Sequence, residues 1–464
     1  MRIETLPADF RWGVATSAFQ IEGAPSADGR GPSIWDDFCR TPLAISDGDD
    51  GRIATDSYRR WHEDLDLLRY LQATSYRFSI AWPRIQPVGA GKVNTKGLDH
   101  YDRMVDDLLA AGITPFVTLY HWDLPSALQE TGGWVCRDTA FRFADYAGIV
   151  ADRLGDRVTD WCTVNEPLCC AWIGHLEGTM APGRRDLRSA VRASHHVLLG
   201  HGLAVRSVRA SARKPASLGI VLNLSPCEPA TASEADAEAA RRADGHTNRW
   251  WLDPLHGRGY PADMAALYGV DVPIEGGDMQ TIAERCDFVG VNYYFRMRVV
   301  ADEKVATLGF RQVPVEGAAV TAMDWEIHPN GLRDALIRVA EEYGAPALYV
   351  TESGAAFDDE PDAGGFVHDP QRAEYLSRHI EATIEAVESG APVRGYYCWS
   401  LLDNFEWAYG YGPRFGLSYV DYATQRRAVK HSGMRFREII RRHQGLDGNT
   451  RFADLRESLD PDMV

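Results

Sequence analysis

Two glutamates, Glu166 and Glu352, have the surroundings most suggestive of chemistry in this chain. Each closes a short run rich in β-branched residues, and turn-forming residues follow at once, Pro167 after the first and Gly354 soon after the second. The two glutamates are far apart in sequence, so only a closed fold can bring them to one pocket. Two carboxyl groups that face each other across a pocket are the minimum apparatus for breaking a glycosidic bond.

The elements that must position these acids alternate regularly along the chain. Short runs of β-branched and aromatic residues, several of them apolar throughout, are separated by helix-like stretches, as expected for a parallel sheet covered on both faces. Eight such alternations predict an α/β fold, a single (β/α)8 TIM barrel over residues 1–464 with long loops over its C-terminal face. The C-terminal tail, about 445–464, is predicted to be peripheral or flexible. The predicted strands are Arg11–Gln20, Ser75–Trp82, Thr114–His121, Thr159–Glu166, Ser217–Leu224, Asp287–Tyr294, Pro346–Glu352 and Arg394–Ser400.

Between these strands the sequence predicts helices and two insertions. The stretches 225–286 and 295–345 are longer than a crossover helix needs, so we expect inserted loops and small helices over one face of the barrel. The predicted helices are Tyr58–Leu71, Gly97–Ala111, Thr139–Leu154, Ser189–Val208, Gly331–Tyr343 and Gln371–Glu388.

Composition excludes several classes of partner. The chain is 45% hydrophobic and 25% charged, which is typical of a globular protein with a large core. Its net charge of -17 argues against binding nucleic acid or an anionic membrane, since both attract positive surfaces. No apolar run is long enough to span a bilayer, and no secretory signal is visible. Eight cysteines without a Cys-x-x-Cys pair predict reduced thiols and a cytoplasmic location.

Other motifs do not indicate a functional site. His195, His196 and His201 do not share one helix face, so we expect ordinary helix residues and no metal site. The glycines near Tyr411 lack the βαβ start that a dinucleotide site needs, and no Gly-x-Ser-x-Gly elbow supports a serine hydrolase.

In a barrel of this type the functional residues lie at the carboxyl ends of the strands. Nearly every predicted strand ends in a polar or aromatic residue, which favours a carbohydrate site that contains two acids. These strand-end residues are Gln20, Arg77, His121, Asn165, Glu166, Asn223, Asn292, Tyr294, Glu352 and Trp399.

Seven motifs run in order from residue 10 to about 435, nearly the whole chain. They are Gly13–Gly23, Arg77–Arg84, His121–Pro125, Thr163–Pro167, Val291–Tyr294, Trp399–Trp407 and Arg414–Leu417. Together they resemble the signatures of glycoside hydrolase family 1. The resemblance implies a β-glucosidase that retains anomeric configuration and uses no metal or organic cofactor. It implies a small β-glucoside or oligosaccharide substrate, with β-galactosides and β-fucosides as further candidates.

The resemblance also implies individual roles. Glu166 would be the general acid and then the general base, and Glu352 the nucleophile, with Arg77 and Tyr294 beside it. Tryptophans are most often core residues, and Trp399 could equally belong to the barrel core. The residues implied to bind sugar are Gln20, His121, Asn165, Tyr294, Trp399, Glu406 and Trp407. The supporting residues are Arg77, Asn292, Trp122, Trp325 and Phe415.

Three positions depart from the family pattern. Ser353 replaces the usual Asn after the nucleophile, Leu168 replaces a Trp expected on the aglycone side, and Asp324 replaces a Gly before Trp325. These departures leave the aglycone open, whereas the loop after Glu406 favours an unphosphorylated sugar. A transglycosylating or natural-product-tailoring enzyme of the same fold and a non-catalytic sugar-binding barrel remain alternatives. The sequence does not distinguish a monomer from a homo-oligomer.

Overall fold

The computed structural model describes residues 1–446, and its centre is a closed barrel of eight parallel strands. Each strand pairs with the next along the chain and the last pairs with the first, so that Ala15 lies beside both Arg77 and Trp399. The predicted (β/α)8 fold is confirmed, and each predicted run overlaps one barrel strand. The strands are β1 (Arg11–Ala15), β2 (Ser75–Ser79), β3 (Thr114–Tyr120), β4 (Asp160–Asn165), β5 (Ser217–Asn223), β6 (Phe288–Asn292), β7 (Leu348–Ser353) and β8 (Val393–Trp399).

The first two strands end earlier than predicted. Gln20 is not at a strand end but in the short helix Ala18–Ile21, because the Ala18 amide donates to the Ser79 hydroxyl (2.7 Å) and leaves the ladder. Trp82 likewise begins the helix Trp82–Ile85, where the following proline suits a first helical turn and cannot extend a strand.

Aromatic side chains fill the barrel interior. The ring of Phe116 meets those of Phe288, Tyr349 and Tyr397 edge-on, each at a centroid separation of 5.4 Å. The same buried cluster continues to Trp399, so the barrel core directly supports residues at the carboxyl ends of the strands.

Long helices cover the outside of the barrel. In the helix Asp138–Leu154, Phe143, Ala147, Val150 and Leu154 recur at spacings of three or four residues and are all buried. The six predicted helices are confirmed, with bounds within three residues of those expected. The long helices are Ser57–Leu71, Thr95–Ala110, Asp138–Leu154, Leu187–Ser211, Pro329–Tyr343, Pro370–Glu388 and His431–His443.

The two predicted insertions contain small helices as expected, together with a three-stranded sheet that was not predicted. Its strands, Cys227–Pro229, Met297–Ala301 and Phe310–Gln312, are short and partly exposed, so their sequences carry no clear alternation. A two-stranded sheet pairs Ser418–Val420 with Arg427–Val429. The shorter helices are Ile3–Thr5, Ala27–Gly29, Ile34–Phe38, Ser46–Gly48, Ser126–Glu130, Gly133–Val135, Cys169–Glu177, Glu234–Asp244, Gly245–Arg249, Trp250–Leu255, Ala262–Tyr268, Asp278–Ile282 and Trp407–Tyr409.

Three further predictions concern the C-terminal tail, membrane-spanning segments and the cysteines. Most of the predicted tail, about 445–464, lies outside the described residues. Within residues 1–446, no helix has both the length and the apolar character needed to cross a membrane. All eight cysteines are free thiols, as predicted.

Candidate active site

A cavity of about 810 Å³ opens at the carboxyl ends of the strands, where β4, β6, β7 and β8 finish. Most of the residues implicated by the sequence meet there. Gln20, Arg77 and Asn165 do not line the cavity but are fully buried behind it, in hydrogen-bond contact with residues that do. The implicated residues that line it are His121, Trp122, Glu166, Asn223, Asn292, Tyr294, Trp325, Glu352, Trp399, Glu406, Trp407 and Phe415.

Glu166 follows the last residue of β4 and is almost completely buried. Its backbone has a φ of 48°, a left-handed conformation that is costly for a non-glycine residue and that recurs at functional sites. The Asn292 amide donates to its Oε1 atom at 2.8 Å. Burial, and then the nearby charge of Glu352, raise the pKa of Glu166 to about 8, so this carboxyl can hold a proton near neutral pH.

Glu352, within β7, receives a hydrogen bond on each carboxylate oxygen. The Arg77 guanidinium donates to Oε1 at 2.5 Å, and the Tyr294 hydroxyl donates to Oε2 at 2.7 Å. Arginine remains charged in proteins, and its bond to a carboxylate is charge-assisted. Glu352 is thus held by a cation and by a hydroxyl donor.

A continuous hydrogen-bond network joins the two acids. Arg77 also donates to the side-chain oxygen of Asn165 at 2.6 Å, and Asn292 donates to that same oxygen at 3.1 Å. Because Asn292 in turn holds Glu166, one network fixes both carboxyl groups relative to each other.

The same network sets the state of His121. With the Asn165 oxygen occupied by Arg77 and Asn292, its amide nitrogen faces His121 Nε2 at 3.1 Å. Burial, and then Arg77, hold the pKa of His121 well below its usual range, so the ring is neutral. Its other nitrogen, Nδ1, therefore carries the hydrogen, and it has no hydrogen-bond partner among residues 1–446. This hydrogen is a buried donor without a partner, on a residue that lines the cavity.

Gln20 and Glu406 form a second polar group. Gln20 donates to Asn404 Oδ1 and to the Phe405 carbonyl, both at 3.0 Å, and lies 3.4 Å from Glu406. Its amide thus anchors the loop that presents Glu406 to the cavity. Burial, followed by the charges of Glu352 and Glu166, raises the pKa of Glu406 to about 8.

Tryptophans form an apolar wall beside these polar groups. The ring of Trp407 lies 4.6 Å from that of Trp122 and 4.4 Å from that of Trp35. Trp399 lines the cavity and also belongs to the interior aromatic cluster, so it is a core residue, and its role in binding sugar stays a prediction. On another part of the wall, Trp325 contacts Tyr294 and Phe415 at 5.3 and 6.1 Å.

The three departures from the family pattern differ in how they relate to the cavity. The Ser353 hydroxyl is buried against Tyr375 at 3.3 Å. Leu168 is nearly buried in the hydrophobic core and is not among the lining residues, so its expected place on the aglycone side needs correction: Cys169 and Ile173 line the cavity instead. Asp324 is exposed between the lining residues Met323 and Trp325, with a left-handed φ of 57°.

Sequence reasoning missed the contact between Cys169 and Glu166. The Cys169 thiol lies 3.5 Å from Glu166 Oε2, and the Asn223 amide lies 3.9 Å from the sulfur. The spacing of three residues was a signal, but Cys169 begins a π-helix, Cys169–Glu177, whose geometry a regular helical pattern does not predict.

The histidines of the helix Leu187–Ser211 have structural partners. His195 contacts Asp278 and Tyr260, both at 3.0 Å, and His201 contacts Thr163 at 2.6 Å. In the described part of the chain, no group of three potential ligands is arranged to hold a metal ion.

Known proteins share both the sequence and the shape of this chain. Residues 2–445 match the profile described as Glycosyl hydrolase family 1. Beta-glucosidase A of Thermotoga maritima is 46% identical over 452 residues, covering 96% of this chain and 100% of that protein. A bifunctional beta-D-glucosidase/beta-D-fucosidase of Bifidobacterium breve is 43% identical, covering 94% of this chain and 98% of that protein. The solved structure of a Thermotoga maritima beta-glucosidase in complex with glucoimidazole matches with a TM-score of 0.92 at 46% identity, covering 95% and 99% of the two chains.

Proposed function

This chain belongs to glycosyl hydrolase family 1, and from that premise we propose that it is a retaining β-glucosidase acting on terminal β-D-glucosyl residues. The observation that carries the proposal is the contrast between two carboxyl groups on one cavity. Glu166 is buried with a raised pKa, while Glu352 accepts from Arg77 and Tyr294. A buried acid with a raised pKa, and a carboxyl group held by an arginine and a tyrosine, supply the acid and the nucleophile of a double displacement.

In the first step, Glu352 attacks the anomeric carbon of the bound sugar. The bond to the leaving oxygen breaks as Glu166 gives that oxygen its proton, which yields a glycosyl ester on Glu352 and a free alcohol. Ester formation removes the charge of Glu352, one of the two causes that raise the pKa of Glu166. The acidity of Glu166 therefore increases at the moment when it must become a carboxylate base.

In the second step, Glu166 accepts a proton from a water molecule that attacks the anomeric carbon. The ester bond breaks, glucose leaves with its original β configuration, and Glu352 regains its charge. Glu166 then holds a proton again, so the cycle closes without a cofactor.

Sugar recognition follows from the remaining polar groups. Glu406 offers two oxygens to a vicinal diol, and the imidazole of His121, which lines the cavity, suits a further hydroxyl. Trp407 and Trp399 present flat apolar surfaces to the C–H face of the ring. The Bifidobacterium breve relative, named for both glucosidase and fucosidase activity, supports β-fucosides as further substrates.

We extend the proposal to the organisation and location of the chain. Residues 1–464 would form one catalytic domain, since the barrel strands run from residue 11 to residue 399 without a second core of comparable size in the described region. A cytoplasmic location is supported by eight free thiols, which persist in a reducing compartment.

Paired azide rescue tests the assignment. Glu352→Gly should lose hydrolysis of an aryl β-glucoside, and azide should restore turnover with an α-glucosyl azide product, because azide attacks the face that Glu352 vacates. Glu166→Gly, the matched variant, should give a β-glucosyl azide, since there Glu352 still forms the ester and azide replaces water. NMR of each product assigns its configuration. Full activity in Glu352→Gly, or the same azide anomer from both variants, would contradict the roles. An unmodified chain that leaves the glucoside intact would be a sugar-binding barrel instead.

A further inference from the structure

A cluster of charged side chains is buried beside the proposed active site, and none of its members lines the catalytic cavity. It contains three acids and three bases joined by ion pairs, so its charges balance. Five of the members are buried and Arg414 is half-buried. The members of this buried ion cluster are Asp359, Asp369, Arg372, Asp403, Arg414 and Lys430.

Lys430 joins two loops at the centre of the buried ion cluster. Its Nζ atom lies 2.5 Å from Asp359 Oδ2 and 2.6 Å from Asp403 Oδ1. Asp359 belongs to the loop after β7, the strand that carries Glu352. Asp403 belongs to the segment after β8, three residues before Glu406. One ammonium group therefore ties the segment of the proposed nucleophile to the segment of a sugar-binding candidate.

Asp403 is completely buried and is held on both carboxylate oxygens. Its Oδ1 atom accepts from the Gly416 amide at 2.9 Å as well as from Lys430, and its Oδ2 atom accepts from Arg414 at 2.8 Å. Arg414 directly precedes Phe415, which lines the cavity. The carboxylate of Asp403 thus fixes the base of the segment that leads to the cavity.

Arg372 fixes the other end of the tie. Its guanidinium lies 2.6 Å from Asp359 Oδ2, and it donates to the backbone carbonyls of Ala355 at 3.0 Å and Arg414 at 2.6 Å. Ala355 follows β7 by two residues, so the loop that carries Asp359 is anchored next to the strand. Lys430 therefore connects Asp403 to a loop that is itself held in place.

Stability alone is a weak reason for this arrangement. Removing charges from water is costly, and well-packed apolar side chains of similar volume often stabilise a fold as well as a buried ion pair does. A buried ion pair does fix the relative position of the two segments that it joins. In this chain those segments lead to Glu352 and Glu406.

We propose that Lys430 is a positioning residue for sugar recognition. By tying Asp403 to Asp359, it sets the position of Glu406 relative to Glu352, and hence how strongly the enzyme distinguishes sugars by the hydroxyls that Glu406 binds. The proposal rests on the proposed β-glucosidase function and deepens it by giving a role to a residue outside the cavity.

Monodeoxy glucosides report on the position of Glu406. Each analogue of an aryl β-D-glucoside lacks one ring hydroxyl, and its disadvantage is the ratio of kcat/KM for the parent to kcat/KM for the analogue. A lost hydrogen bond to a charged carboxyl group should give a disadvantage of about 10-fold or more. Glu406→Gln identifies the hydroxyls concerned, because the disadvantage should shrink for those analogues alone. Parent and analogue are measured on one preparation, so inactive protein cancels from the ratio.

Lys430→Met removes the tie and keeps a side chain of similar length. We expect the disadvantage to shrink at least about threefold for the hydroxyls that Glu406→Gln identifies, and to stay unchanged for the others. Arg427→Met is the matched control, because Arg427 lies in the strand just before Lys430 and is buried 2.8 Å from Asp64 of the helix Ser57–Leu71. This control should lower Tm and leave every ratio unchanged.

A double variant keeps the test valid if Lys430→Met does not fold. Lys430→Met combined with Asp359→Asn removes one base and one acid, so the charges of the cluster still balance while the tie is missing. Its Tm should lie closer to that of the unmodified chain, and its ratios should be as small as those of Lys430→Met. Ratios that recover to those of the unmodified chain would overturn the proposal, since charge balance alone would then suffice.

The remaining outcomes separate this proposal from the proposed function. Unchanged ratios in the Lys430 variants, a change spread evenly over all analogues, or the same change in Arg427→Met overturns the positioning role and leaves the β-glucosidase assignment intact. Ratios that do not respond to Glu406→Gln overturn it as well, because Glu406 would then not bind the sugar. An unmodified chain that leaves the aryl β-glucoside intact overturns the proposed function itself.

Discussion

Arg77 and Glu352 form an ion pair that is closed to solvent, with Arg77 Nη1 2.5 Å from Glu352 Oε1. A second guanidinium nitrogen holds Asn165, so Arg77 fixes the proposed nucleophile and a sugar-binding candidate at once. The pair joins β2 to β7 across the barrel, which is a contact that only the closed fold creates.

Arg77→Met should therefore damage both activity and stability. The substitution leaves Glu352 buried without the cation that holds it, at a cost of about 3–5 kcal/mol. We expect kcat/KM to fall about 100-fold or more, together with a lower Tm. Arg11→Met is the control, because Arg11 pairs with Asp160 at 2.8 Å at the opposite ends of the strands. It should lower Tm while kcat/KM stays near that of the unmodified enzyme; equal activity losses in both variants would show that Arg77 acts only through folding.

The raised pKa of Glu166 predicts the basic limb of the pH profile. The first step needs Glu166 protonated, so kcat/KM should be retained below its pKa of about 8 and fall as the pH rises through that value. A dinitrophenyl β-glucoside needs no proton on its leaving group, so its basic limb should be weaker than that of an alkyl glucoside.

Glu406 has a pKa raised to a similar value, so it needs its own control. Glu406→Gln should raise KM, because an amide replaces the carboxyl group that is proposed to bind the sugar. The basic limb of kcat/KM should persist in this variant. Loss of that limb in Glu406→Gln would assign it to Glu406 rather than to Glu166.

The sequence was sufficient for the barrel and for the strands that carry Glu166 and Glu352, because apolar β-type runs and turn residues are local signals. The sequence did not predict how deeply each side chain is buried relative to the cavity. Gln20 lies behind Glu406 because β1 leaves the ladder at the contact between Ala18 and Ser79, and nothing near Gln20 in sequence encodes that contact.

The conformations of the loops were the other feature that the sequence did not predict. Leu168 turns into the core while Cys169 faces the cavity, a choice set by the left-handed backbone of Glu166 and the π-helix that follows. Both features are imposed by tertiary packing rather than by local propensity. The small sheet formed by Cys227–Pro229 and its two partners was missed for the same reason, since its strands pair across two separate insertions.

Cys169 should tune the acidity of Glu166. Its thiol can donate to Glu166 Oε2, the oxygen that Asn292 does not hold, and such a bond favours the carboxylate. Cys169→Ala removes this donor, so the basic limb of kcat/KM should move to higher pH by about half a unit. Cys170→Ala is the matched control, because Cys170 is equally buried but does not line the cavity. An unshifted limb in Cys169→Ala, or the same shift in both variants, would exclude this role.

Gly354 should be intolerant of any side chain, because it lies where β7 and β8 meet at the site. A Cβ atom there would lie 1.8 Å from the carbonyl oxygen of Trp399, a backbone atom with no freedom to rotate away. Gly354→Ala must therefore push apart the segments that carry Glu352 and Trp399, and we expect a Tm lower by several degrees with a loss of kcat. Gly276→Ala is the control, since nothing lies within 4 Å of its added Cβ. Thermal unfolding and alkyl-glucoside kinetics on both variants check the expectation, and an unaffected Gly354→Ala would mean that this contact between the strand ends does not constrain the site.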